Sequence, residues 1–279
     1  MISYPHVKVN LGLNVLRKRP DGYHDIETLF LPCREISDTL EIITGDDWSR
    51  TSASLFGRYG SCAQAVSRDG RLMITLAREE GVGWDPLDDL TAKAYALLSE
   101  DYDLPPVKVF LEKKAPVGAG LGGGSSDGAS ALLMLNELFS LGLSRGELAL
   151  YASRLGSDCA FFIYDTPMFG EGRGEVLSPF GINLDGLRME VIVPKGISVS
   201  TAEAYRGIVP GVPAVRLREA LSGGAENWKE SVSNDFEKTV FAVHPELSSI
   251  KDDLYRRGAV YASMSGSGSA LFGLFRERA

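Results

Sequence analysis

The stretch VGAGLGGGSSDGASALLMLNELFSLGLS, residues 117–144, limits the possible fold more than any other part of the chain. Five glycines fall within the seven residues 118–124. Regular structure there would carry a large conformational-entropy cost, so these glycines serve a loop that needs close backbone approach. The next residues, Ser125, Ser126 and Asp127, offer capping side chains, and Ala131, Leu132, Leu135, Leu138 and Phe139 follow at helical spacing. Just upstream, PPVKVFLEKKAP reads as a strand with Val107, Val109 and Leu111 on one face. A strand, a glycine loop and an apolar helix must therefore follow one another directly.

Backbone N–H groups in such a loop, aimed along a helix N-terminus, favour an anion, and phosphate is the usual one. A flexible surface turn is the plain alternative, but linkers rarely run straight into a strongly apolar helix. Gly118, Gly120 and Gly123 satisfy the spacing GxGxxG. The dinucleotide fingerprint, however, sits at the first strand-helix turn and places an acidic residue at the end of the next strand, whereas Glu137 falls inside the helix. No Gly-Lys followed by Ser or Thr occurs, which excludes a Walker loop.

At the N-terminus, PHVKVNLGLNV alternates with the period of a strand and puts Lys8 and Asn10 side by side on one face. Asp21-Gly22 supplies a tight turn before IETLFLPCREI resumes an extended pattern, and DTLEIIT and RLMITLA read as further strands. A helix is expected over DDLTAKAYALLSED. Another follows Ser144 and Glu147, which form a capping box, and closes at Gly156. Beyond it, MEVIVPK, AVYASMSG and ALFGLF read as strands, and TAEAYRGI and PELSSIKDDLYRRG as helices. Helices interleaved with antiparallel hairpins indicate an α+β chain. A second glycine-rich turn, SMSGSGSALF, lies between two of the strands, and its glycines specify no chemistry on their own.

A net charge of −8 argues against nucleic acid or an anionic membrane as the main partner, while leaving room for a local basic pocket. Three scattered cysteines, with no CxxC pair, suit reduced thiols, and the N-terminal residues lack the organisation of a signal sequence. A soluble, cytoplasmic protein is expected. His6, His24 and His244 show no ligand spacing and the cysteines do not cluster, so no metal site is expected.

PVGAGLGGGSSDGA, Pro116–Ala129, resembles the phosphate loop of the GHMP kinases, the superfamily of galactokinase, homoserine kinase, mevalonate kinase and phosphomevalonate kinase, whose pattern is Pro-x-x-x-Gly-Leu-Gly-Ser-Ser. Four other blocks agree in order: KVNLGLNVLRKRPDGYHDIETLF, LGSDCAFFI, GEGRGEVLSPF and MSGSGSALFGLF. The resemblance implies a two-domain GHMP-kinase fold. An N-terminal ATP-binding domain like domain 2 of ribosomal protein S5 would span 1–157, and a ferredoxin-like domain 158–279. The triple glycine narrows it to the branch that acts on a small-molecule cytidyl diphosphate substrate in isoprenoid precursor biosynthesis.

The same resemblance carries site residues. Lys8 and Asp158 map onto the catalytic pair, with Asp158 taking the hydroxyl proton and Lys8 keeping it ionised and stabilising charge near the γ-phosphate. ATP would be held by Lys113, Pro116, Val117, Gly118, Ala119, Gly120, Leu121, Gly122, Gly123, Gly124, Ser125 and Ser126, with Mg2+ carried mainly by the nucleotide. Asn10, Tyr23, His24, Thr201 and Tyr205 would bind the substrate, the aromatic residues stacking on a cytosine. Asp89 stands where the family more often has Asn. Two other readings stay open: a mevalonate- or homoserine-type kinase of the same superfamily, and a catalytically silent nucleotide-binding protein. A monomer or a homodimer would both be compatible.

Overall fold

The computed structural model describes residues 1–45, 47–59 and 62–277. They form two compact units, neither of them a continuous piece of chain. The first comprises Met1–Val7, Arg34–Val117 and Gly122–Asp165, the second Lys8–Cys33, Gly118–Leu121 and Thr166–Ala279. The expected domain boundary lies at 157/158; the division into these two units falls within two long strands, His6–Lys18 and His24–Ser37, and at the edges of the glycine loop. Strands of 13 and 14 residues exceed the usual length about twofold, long enough for each to contribute to both units.

The first unit is built on a five-stranded sheet in the order Ile2–Ser3, Thr39–Thr44, Val107–Lys113, Leu72–Arg78, Ala63–Val66. Leu72–Arg78 and Val107–Lys113 run parallel, and the helix Leu90–Ser99 connects them as parallel pairing requires. Asp89 caps that helix, its carboxylate accepting the Thr91 N–H at 2.9 Å, a task that Asn would perform equally well. The capping box at Ser144 and Glu147 is complete, and helix Arg145–Leu155 ends at Gly156.

The helix after the glycine loop spans Gly123–Leu138. It opens earlier than its serines suggest, because Gly122 adopts a left-handed backbone and brings the chain straight into the first turn. Ser125, Ser126 and Asp127 thus lie inside the helix rather than at its cap, and Ser126 and Asp127 are buried.

In the second unit, His6–Lys18, His24–Ser37, Met168–Glu171 and Val176–Pro179 form one sheet, and Leu187–Ile192, Leu271–Arg276 and Tyr261–Met264 a three-stranded antiparallel one. Leu247 and Leu254 of the helix Pro245–Arg256 share a core with Ala262, Met264, Leu271 and Phe275. Antiparallel sheets with helices gathered against them give the expected α+β class. No helix of the described residues is long and apolar enough to cross a membrane.

The opening strand departs from simple alternation in one respect. Val7, Val9 and Leu11 are fully buried, but so are their polar neighbours: Lys8 is 3% and Asn10 2% exposed. Polar groups so placed need partners.

Candidate active site

Those partners converge on the glycine loop. Lys8 Nζ donates to Asn10 Oδ1 at 2.5 Å and to the Gly120 carbonyl at 3.0 Å, and lies 5.4 Å from the centre of the Phe30 ring. The Asn10 amide is oriented by a relay, Nδ2 donating to Thr28 Oγ1 at 3.0 Å and Thr28 donating to the Gly12 carbonyl at 2.6 Å. Ser265 Oγ accepts the Asn10 N–H and donates to the same Gly120 carbonyl at 2.9 Å. The Lys8 N–H donates to Leu121 O at 2.9 Å. Lys8 thus presents a fixed positive charge against residues 118–121.

Gly118, Gly120 and Gly122 take φ of 73°, 75° and 70° at alternate positions. At Gly120 a side chain is impossible: a Cβ would stand 2.1 Å from the Ser265 carbonyl oxygen. The turn that presses on it is itself held by Asn234, whose Nδ2 donates to the Met264 and Gly266 carbonyls, both at 2.8 Å. Thr28, Asn234 and Ser265 were not foreseen as site residues. The glycine-rich turn was the available signal for Ser265; Asn234 stands in no pattern that sequence reasoning could weigh.

Within the first unit, the helix Gly123–Leu138 is tied to a buried charge cluster through Asp127. Lys113, 5% exposed, donates Nζ to Asp38 Oδ2 at 2.6 Å and to Asp127 Oδ2. Asp38 Oδ1 accepts the Lys114 and Ala115 N–H groups at 2.5 and 2.6 Å. Burial opposes the Lys113 charge, but the attraction of Asp127 and Asp38 overcomes it and raises its pKa. Burial pushes the Asp127 carboxyl well above the usual carboxylate range, with Lys113 opposing and the charges of Asp38 and Asp89 adding to the shift. Lys113, expected to meet the nucleotide, has its ammonium bonded to Asp38 and Asp127 within the first unit.

Of the remaining loop residues, Pro116 and Ser125 are half-buried, and Val117 and Gly124 exposed. Asp158 is half-buried at the N-cap of the short helix Cys159–Tyr164, and Ser157 Oγ lies 3.4 Å from its Oδ1. Burial drives the adjacent Cys159 thiol up to about 12, which keeps it from acting as a thiolate. Among the described residues no three His, Cys, Asp or Glu side chains gather as ligands for a metal.

The residues expected to hold a base fall close to one another in the second unit. His24 and Tyr205 stack at 4.6 Å between centroids and 17° between planes, and Tyr205 meets Phe236 edge-on. Tyr23, 57% exposed, has the Arg173 guanidinium 4.8 Å from its ring centre. Thr201 opens the helix Thr201–Tyr205 behind its cap, Ser200, and is exposed. Two rings that enclose a third must stand about 7 Å apart, twice the contact distance. The 4.6 Å between His24 and Tyr205 leaves no room for a third ring between them.

Models of two known families match the chain: GHMP kinases N terminal domain over residues 89–166, and GHMP kinases C terminal over residues 214–279. The chain is 44% identical over 275 residues to the 4-diphosphocytidyl-2-C-methyl-D-erythritol kinase of Bacteroides thetaiotaomicron, covering 99% of this chain and 92% of that one. It is 41% identical over 279 residues to the kinase of the same name from Cytophaga hutchinsonii, covering 100% and 93%. A crystal structure of 4-(cytidine 5'-diphospho)-2C-methyl-D-erythritol kinase matches with a TM-score of 0.75 at 31% identity, covering 98% of this chain and 90% of that one. A homoserine kinase structure from Cytophaga hutchinsonii shares the fold, with a TM-score of 0.67 at 17% identity, covering 98% and 86%.

Proposed function

The chain belongs to the 4-diphosphocytidyl-2-C-methyl-D-erythritol kinases of the GHMP kinase family, and we propose that it transfers the γ-phosphoryl group of ATP to the 2-hydroxyl of 4-diphosphocytidyl-2-C-methyl-D-erythritol, giving the 2-phosphate and ADP. Such a transfer asks for an in-line hydroxyl, cancellation of charge on the moving group and an acceptor for the hydroxyl proton. Backbone N–H groups of the loop 118–124 and of the first turn after it hold the phosphates. Lys8 stabilises charge near the γ-phosphate, and Asp158 accepts the proton. Asn10 fixes the Lys8 ammonium, and Tyr23, His24, Thr201 and Tyr205 recognise the cytidyl end.

The observation that carries this reading is the bond from Lys8 Nζ to the Gly120 carbonyl, which ties a buried ammonium to the phosphate loop itself. Mg2+ would be carried mainly by the nucleotide; the half-buried Ser125 hydroxyl is a hard oxygen donor that would face it, and the ion would add neutralisation of phosphate charge. Three scattered cysteines with no CxxC pair, Cys33, Cys62 and Cys159, support a reducing, cytoplasmic setting.

The test is ATP-dependent phosphate transfer by the full chain, assayed in parallel on the cytidyl substrate, mevalonate and homoserine. Turnover confined to mevalonate or homoserine would overturn the substrate assignment, and no turnover with any of the three would overturn the kinase reading.

A further inference from the structure

We propose that His6, Arg34 and Asp165 form a clamp that positions Asp158, an inference that rests on the proton-accepting role given to Asp158 above. Asp158 caps one end of the helix Cys159–Tyr164 and Asp165 the other. Six residues are far too few for a helix to hold itself together, so what grips its ends and its buried face sets its direction. Residues 159–163 are all buried, which secures the face. The clamp secures the end.

Asp165 has a left-handed backbone, φ 52°, a conformation that aspartate tolerates at a cost. Its carboxylate is gripped from two strands. Oδ1 accepts from His6 Nε2 at 2.7 Å and Oδ2 from Arg34 Nη2 at 2.9 Å. His6 is fixed in turn, because its Nδ1 donates to the Val7 carbonyl at 2.9 Å and its ring stands edge-on to Phe162 at 6.0 Å between centroids. Burial alone would raise the pKa of Asp165; the bonds from His6 and Arg34 outweigh it and hold the carboxyl below the usual range. The helix that begins at Asp158 is therefore anchored at its far end by two side chains, His6 and Arg34, bonded to one carboxylate. No motif of the phosphate loop or of the base site includes any of these three residues. A misplacement of about 1 Å at a reacting group costs on the order of a hundredfold in rate, so an anchor of this kind acts on turnover without touching substrate.

A double-mutant cycle on the full chain, with ATP and the cytidyl substrate, tests the clamp. His6→Phe keeps a ring against Phe162 and removes both donors; it should lower kcat by about 10- to 100-fold while leaving the KM for ATP within about twofold. His6→Gln, which can still donate to Asp165, should recover most of the lost kcat. On an Asp158→Asn background, His6→Phe should change kcat by less than about twofold, since it acts through the missing carboxylate. Arg34→Gln removes one arm at a side chain 61% exposed, and carries the test with a smaller loss of kcat should His6→Phe fail to fold. If Asp158→Asn is crippled while His6→Phe and Arg34→Gln turn over like wild type, the clamp alone is wrong. Additive losses in the cycle overturn it as well. Wild-type turnover by Asp158→Asn instead sinks the assignment of Asp158 on which the clamp rests.

Discussion

Gly120 and Gly124 sit four residues apart in one run of glycines, and the surroundings of each make different demands. A Cβ at Gly120 would penetrate the Ser265 carbonyl, and one at Gly266, in the other glycine-rich turn, would stand 3.1 Å from Asn10 Oδ1 and 3.2 Å from the Gly120 carbonyl. Those two glycines exist because two backbone segments press on one another. Around Gly118 and Gly124 nothing lies within 4 Å of the would-be Cβ. The first pair is glycine for the sake of the protein's own packing; open space remains at the second, where the proposed triphosphate would approach. Glycine richness alone cannot tell a packed contact from reserved space.

The largest expected effect breaks the support beneath the loop. Lys113→Met leaves Asp38 and Asp127 buried without their cation and should cost about 3–5 kcal/mol of stability, read by urea unfolding. The loss should depend on pH. A carboxyl whose folded pKa is raised contributes stability below its unfolded value and loses that contribution as pH rises through the folded one, and Asp127 is such a group. Without Lys113 that shift grows, so the gap between variant and wild type should widen as pH rises through the wild-type carboxyl's raised folded pKa. A gap that stays constant over that rise would falsify the role of the cluster as a shared-charge support.

Gly120→Ala comes next. Backbone strain at φ 75° alone costs roughly 1–3 kcal/mol, and the clash with Ser265 must displace the segment against which Lys8 is bonded. Turnover should fall by on the order of a hundredfold or more. An alanine variant with normal turnover would show that the contact between the two glycine stretches does not set the geometry of Lys8.

Local patterns explain what could be read from the sequence and what could not. The capping box at Ser144, the strand through Lys8 and Asn10 and the strand before the glycine loop are written in consecutive residues, and all stand in the structure. Asp127, with Ser125 and Ser126, reads as a cap because short polar side chains before an apolar helix so often are one; its partner is Lys113, on the preceding strand. Asp38 and Lys113 lie 75 residues apart, and His6 and Asp165 159 apart, so only the folded chain brings them together. The same limit hid Asn234, whose side-chain amide holds two carbonyls of a distant turn. Lys8 escaped it because the glycine loop announces the partner that Lys8 requires.

Gly266→Ala should do less harm than Gly120→Ala. Its φ of 55° lies where other residues are found at a cost of about 1–2 kcal/mol, and Asn10 can yield by a few tenths of an ångström. Because Asn10 Oδ1 is also the acceptor for Lys8, kcat should drop by roughly tenfold while the KM for ATP holds. A rise in KM with unchanged kcat would place this turn in nucleotide binding instead.

Gly124→Ala should have the smallest effect on the fold, and the direction reverses. The residue lies in the first turn of a helix, its φ is not left-handed and no atom stands near its would-be Cβ, so alanine should add about 0.4–1 kcal/mol to stability by restricting the unfolded chain. If the open space beside Gly124 is reserved for phosphate, that same methyl group meets the ligand, and the KM for ATP should rise by about tenfold or more in a protein that is more stable than wild type. Stability and affinity then move in opposite directions, which no general loosening of the structure produces. A variant that is stabilised and binds ATP as before would show that the triphosphate does not pass this residue, and would confine the phosphate site to Gly118–Gly122.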